Sequence, residues 1–238
     1  MDHRVGIAPD GPNIEFMFDW LSSFNTNVVK HDDSFARTTR GKLLGIESAI
    51  KDTLQDRTQR VIIVSHFAET FTAIQDMLEK NEIGYDVPTQ AMDRAWFDRL
   101  VDDECKLQIT MAQLLEPLAE IESLREKTQA SVRMTILVVE RHPLKSEDDK
   151  IQEFCMSLPC KVQWGHFLSF EDPVVCQLLD ERAIKILDMF GMGANELINS
   201  KMLSGRLKVA LRKMDRDSAE CVNADSAAQW FELNSSQS

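Results

Sequence analysis

Apolar residues recur along the chain in two alternating rhythms. Val61-Ile62-Ile63-Val64-Ser65-His66 and the runs at 107–112 and 134–140 are nearly continuous in β-branched and apolar residues, as strands buried on both faces are. Between them, Phe71, Ile74, Met77 and Leu78 fall on one helical face, which predicts a helix over 70–80. Phe35, Leu43, Leu44, Ile46, Ile50 and Leu54 keep helical period over 34–54, with Ser34 as its N-cap. The same reading places strand 83–87, helix 89–100, helix 113–127 and strand 162–169, the last joining an edge of the sheet. Helices 173–190 and 194–214 follow as a C-terminal pair, and Ile14, Phe16, Phe18, Trp20, Leu21 and Phe24 predict a short helix over 13–24 that caps one end of the core. This βα rhythm predicts an α/β domain, a mainly parallel sheet with helices on both faces. No internal repeat is visible.

From residue 215 the pattern changes. Ser, Asp, Asn and Ala dominate to Ser238, which reads as a polar, largely disordered tail. Within it Ala227-Ala228-Gln229-Trp230-Phe231-Glu232-Leu233 is an amphipathic patch, and burial against the body suits a Trp230-Phe231 pair better than exposure. The chain thus divides into an extension (1–33), a domain (34–215) and a tail (216–238).

Composition narrows the classes. The 238 residues are enough for one sizeable core, and the formal charge of −12 disfavours nucleic acid and anionic lipid as partners. No apolar run approaches the ~20 residues of a membrane-spanning helix, and no signal-like segment opens the sequence, so a cytoplasmic location is expected. Five cysteines (105, 155, 160, 176, 221) form neither a disulfide framework nor paired zinc spacing; buried or half-buried free thiols and no metal are expected.

Catalytic arrangements are weak. The nine glycines never take P-loop spacing; Gly41 and Gly45 lie inside a helical pattern, and Gly191-Met192-Gly193 punctuates two helices. Ser65 and His66 sit at a strand's carboxyl end with Glu69 one turn on, but neighbours on a strand face opposite ways and would struggle to share a proton. Asp172-Pro173 reads as a helix start, N-cap then proline. Asp102-Asp103-Glu104 and Glu147-Asp148-Asp149 read as solvated turns.

One stretch carries more. Glu140-Arg141-His142 ends a predicted strand, and after a gap of 24 residues comes Phe167-Leu168-Ser169-Phe170-Glu171-Asp172-Pro173. This resembles the second nucleotide-binding domain of the SecA preprotein translocase motor, where a Glu-Arg-His is followed at the same spacing by a strand close to Phe-Tyr-Leu-Ser-Leu-Glu-Asp. Val61 to His66, Ile83-Gly84-Tyr85-Asp86-Val87, Leu107 to Ala112, Phe190-Gly191-Met192 and Arg206 to Lys213 follow the family's order over about residues 34–215. The family's Gln-x-x-x-Gly-Arg-x-Gly-Arg has no counterpart: residues 150–159 contain neither arginine nor glycine. Its Gly-Arg-Gly-Thr-Asp becomes Gln113-Leu114-Leu115-Glu116-Pro117.

The resemblance implies a RecA-like (helicase C-terminal-like) scaffold without catalytic or cofactor-binding residues. The implied role is an interaction or accessory module, with a Sec-pathway component or another protein of export or quality control as partner. The alternative is half of a split ATPase, completing an ATP site in trans with a separate P-loop domain. Glu140, Arg141, His142, Asp172, Trp230 and Phe231 are the structural or partner-binding candidates, with Glu140 or Asp172 as the expected partner of Arg141.

Overall fold

A computed structural model describes residues 27–102, 106–118, 132–179, 185, 193, 195–217 and 222–234. The elements are β1 (Val28–Lys30), β2 (Ser34–Ala36), α1 (Thr39–Leu54), β3 (Gln59–Ser65), α2 (Ala68–Lys80), α3 (Arg94–Asp102), β4 (Leu107–Met111), β5 (Arg133–Val138), α4 (Lys145–Ser157), β6 (Lys161–Ser169), α5 (Pro173–Leu178), β7 (Leu197–Asn199), α6 (Lys201–Asp217) and α7 (Ala227–Asn234). A 3-10 turn, Ala112–Leu114, follows β4.

The strands form one sheet in the order β4-β3-β5-β6-β2-β7, with β1 also pairing β6. Every pairing is parallel except that of β2 with β7. Continuous apolar runs are required because both faces are covered. Ile62, Val64, Met134, Ile136 and Val138 pack with Trp96, Phe97 and Leu100 of α3 and Ile151 and Phe154 of α4. Their neighbours Val61, Ile63, Leu137 and Val139 face the other way, onto Ile46 and Ile50 of α1 and Ile74 and Leu78 of α2. The expected α/β sheet with helices on both faces is what the structure shows.

Several expected elements shift, each for a local reason. Residues 34–36 are a strand on β6 rather than helix; α1 begins after Thr38, whose hydroxyl accepts from the Gly41 N–H at 3.0 Å, so Thr38 and not Ser34 is the N-cap. β6 is internal, not at an edge, because β1 and β2 cover its outer side, Val28 pairing with Val162 and Phe35 with Leu168. Three-residue strands are too short for periodicity to reveal. The sheet therefore begins upstream of residue 34.

The expected strand 83–87 reduces to one bridge, Asp86 to Gln108, and Pro88 removes the next donor. α2 ends on Asn81, and Glu82 takes φ 54° while the Ile83 N–H donates to Leu78. The helix expected over 89–100 starts only at Arg94, because Asp93 accepts from the Trp96 N–H and stops the chain one turn late. The helix expected over 194–214 is preceded by β7, and Ser200 accepts from the Leu203 N–H where α6 begins. Of the helix expected over 113–127, residues 112–114 are a 3-10 turn and residues 119–127 lie outside the described residues, as do 13–24 and most of 180–190.

One glycine marks a close approach. A Cβ on Gly45 would sit 2.0 Å from Leu197, so α1 lies against β7 only because this position has no side chain. The described part of the tail is folded, not disordered: α7 buries Ala227, Trp230 and Phe231 against Phe67, Val174, Leu203 and Leu207. Asn234 holds this segment closed, accepting from the Val222 N–H and donating to its carbonyl. Of the cysteines, Cys155 and Cys160 are buried free thiols, raised by burial, while Cys176 is exposed.

Candidate functional site

Parallel strands that end together bring their last residues to one rim, which is where open α/β sheets take ligands. Here β3 ends in Ser65-His66, β5 runs into Glu140-Arg141-His142, and β6 ends through His166 to Ser169. The Asp33 link between β1 and β2, α1 and α4 close over that rim.

Three polar groupings occupy it. In the first, Arg141 divides its guanidinium between two carboxylates, Nη1 donating to Asp148 at 2.7 Å and Nη2 to Asp33 at 2.6 Å. His66 Nε2 lies 2.9 Å from Asp148, and the His66 tautomer decides which group donates. His166, fully buried, stands between the carboxylates, Nδ1 3.3 Å from Asp33 and Nε2 3.7 Å from Asp148, neither contact aligned as a hydrogen bond. Burial alone would raise the Asp33 and Asp148 carboxyls; Arg141 and contacts with the histidines outweigh it and hold both well below the carboxylate range. Burial likewise disfavours charge on Arg141, and the same two carboxylates more than offset it.

In the second, Lys42 of α1 donates to Asp172 at 2.6 Å and to the Val139 carbonyl at 3.2 Å. Asp172 also accepts from the Ser169 N–H and hydroxyl. Asp172 precedes Pro173 at the N-terminus of α5 as expected, but its carboxylate turns back to β6 rather than capping the helix. In the third, Glu140 accepts from the His66 and Phe67 N–H groups, both at 2.9 Å, and from the Thr70 hydroxyl at 2.6 Å. It stands at the N-terminus of α2, where backbone donors and the helix dipole favour an anion. Burial nevertheless raises its carboxyl, against Thr70 and the backbone donors.

His142 links this rim to the tail. Its ring stacks on Phe67 at 5.3 Å and meets Trp230 edge-on at 5.9 Å. Nδ1 accepts from the Leu144 N–H, and burial, with the charge of His66, lowers its pKa to about 4. Phe231 lies beside Trp230 in the same apolar cluster.

The structure thus brings Glu140, Arg141, His142, Asp172 and Trp230 to one rim, but not as the partners expected. Arg141 bonds neither Glu140 nor Asp172. Asp148 is no solvated turn residue: it lies in the first turns of α4 and is buried beside Arg141. Asp33, Lys42, Asp148 and His166 carried no signal in the sequence, being single polar residues in a link, a helix, a charge run and a strand. Ser65 is buried, and His66 is directed at Asp148.

Chemically the rim is closed on itself. Arg141 holds Asp33 and Asp148 and Lys42 holds Asp172 at hydrogen-bond distance, while Asp33 Oδ2, Arg141 Nε and both His166 ring nitrogens are buried without a hydrogen-bond partner; a phosphate bound through the two Nη atoms would have to displace Asp33 or Asp148. Two cavities lie elsewhere, one of about 220 Å³ beside Trp96, Arg99 and Gln108, the other of about 450 Å³ on α6. Among the described residues no group of three or more His, Cys, Asp or Glu side chains could hold a metal ion, and no helix is long and apolar enough to cross a membrane.

No family model and no curated protein matches the sequence. Among solved structures the chain is similar to the C-terminal part of the Fun30 ATPase domain, at 12% identity and a TM-score of 0.41. That alignment covers 74% of this chain and 54% of the other, so the chain spans about half the length of the structure it matches.

Proposed function

We propose that this chain is a RecA-like domain related to the second nucleotide-binding domain of SecA, one that has given up nucleotide chemistry and serves as a non-enzymatic interaction module in protein export or quality control. The family assignment rests on the order and spacing of the scaffold motifs. The loss of chemistry rests on one observation: the rim where a nucleotide would be handled is filled by Arg141 clasped between Asp33 and Asp148.

An arginine acting on a phosphate in trans must be able to leave its own chain. Freeing Arg141 would strand two buried carboxylates, a change that costs about 3–5 kcal/mol for breaking even one buried pair. The split-ATPase alternative therefore has an obstacle at the residue it needs most.

The test is ATP hydrolysis and binding of a fluorescent ATP analogue by the purified protein. The expected result is no turnover and no saturable binding. Turnover that follows the protein through purification and drops in Arg141→Ala would overturn the proposal in favour of the half-site.

A further inference from the structure

Beside β4 the chain leaves the sheet edge over residues 87–91. Asp86 still pairs with that edge, its N–H donating to the Leu107 carbonyl and its carbonyl accepting from the Ile109 N–H. Pro88 has no N–H with which to continue the ladder. Contact resumes at Met92, which bridges to Leu115. Between the bowed loop, β4 and α3 lies the cavity of about 220 Å³. Gln108, which lines it, is near the amino end of β4, so the cavity is separate from the strand-end rim.

Three residues that line it have a polar group left over. Gln108, buried in β4, accepts through Oε1 from the Trp96 indole N–H at 2.7 Å. An indole nitrogen can only donate, so the orientation of the carboxamide is forced: its oxygen faces Trp96 and its NH2 group turns to the cavity. That NH2 group has no hydrogen-bond partner among the described residues. Arg99 of α3 is exposed and makes no ion pair among the described residues. Asp86 has both backbone groups committed to β4 and keeps its carboxylate for the cavity.

Charge of both signs thus meets in one small space, and the remaining wall is apolar or aromatic, with Trp96, Val87, Pro88 and Ala91. A cavity of roughly 150 Å³ admits benzene, so this one has room for a single small molecule and not for a nucleotide. A simple carboxylate would gain Arg99 and Gln108 but meet Asp86. A simple amine would gain Asp86 but meet Arg99. Each is opposed by a like charge. A molecule with an ammonium and a carboxylate on one carbon meets all three groups favourably.

We propose that this cavity binds a free α-amino acid with an apolar side chain. Its carboxylate lies toward Arg99 and the Gln108 NH2 group, its ammonium toward Asp86, and its side chain against Trp96 and Pro88. The site draws on the loop, β4 and α3, so it stands or falls separately from the non-enzymatic reading of the rim.

The test is saturation-transfer NMR on the full chain with probes that share one hydrocarbon: leucine, isocaproate, which lacks the ammonium, and isoamylamine, which lacks the carboxylate. Leucine is expected to bind saturably and the other two about tenfold more weakly or worse, as loss of hydrogen bonds to a charged group predicts. Isocaproate or isoamylamine binding as tightly as leucine would overturn the proposal, and so would no saturable binding of leucine. Asp86→Asn should weaken leucine about tenfold and tighten isocaproate, whose opposing charge it removes. Gln108→Glu keeps an acceptor for the Trp96 indole and loses the donor, so it should abolish leucine binding. Arg99→Gln, at an exposed position, should keep the melting temperature and weaken leucine about tenfold. Leucine binding unchanged in both Arg99→Gln and Asp86→Asn would place the amino acid elsewhere on the chain and remove this cavity as its site.

Discussion

Along β5, Met134, Ile136 and Val138 pack in an apolar core with Phe154 and Trp164, whereas Arg141, just beyond the same strand, meets two carboxylates and is also buried. The two regions differ in how they fail. In the core each methyl group contributes separately, so a small deletion leaves the rest intact. At the rim two carboxylates share one guanidinium, so removing it leaves both buried without that cation. The core tolerates wear; the rim is all-or-none.

The largest effect is therefore expected at Arg141. Arg141→Ala should destabilise by about 3–5 kcal/mol in urea unfolding, because Asp33 and Asp148 lose their cation. The coupling of Arg141→Ala with Asp148→Asn should be large, about 0.5–3 kcal/mol, while that with Asp172→Asn should be small, since Asp172 shares no partner with Arg141. Equal couplings would merge the two groupings into one network.

Acidification should separate the regions without mutation. Asp33 and Asp148 have folded pKa values below their unfolded ones, so their stabilisation is complete above about pH 4 and is lost as pH falls toward the folded values. His142 acts over a higher window: unfolded it takes a proton near pH 6.5, folded only near 4, so stability falls as pH drops between the two. His142→Asn, which keeps an acceptor for the Leu144 N–H, should remove the upper part of the acid loss and leave the lower. A profile unchanged by this substitution would show that His142 is not buried against Phe67 and Trp230 as described.

The core end of the comparison is Ile136→Val, expected to cost only about 0.5–1.5 kcal/mol. A loss equal to that of Arg141→Ala would erase the contrast. The smallest effect is a gain. Glu82 holds φ 54°, which glycine adopts without penalty, so Glu82→Gly should stabilise by up to about 1 kcal/mol, read as a small rise in melting temperature.

Burial periodicity alone determined the α/β class, the strands β3, β4, β5 and β6 and the faces of α2, because each residue's period reports the side it must hide. It likewise marked Trp230 and Phe231 for burial. Glu140, Arg141, His142 and Asp172 stood out only through their spacing. Who meets whom at the rim was decided by the tertiary structure. Arg141 finds Asp33 across 108 positions, His66 finds Asp148 across 82, and Lys42 finds Asp172 across 130. No local pattern encodes such pairs. Charge matching becomes strong only after burial has removed water, and burial at the rim exists only once β1, β2, α1 and α4 have closed over the strand ends.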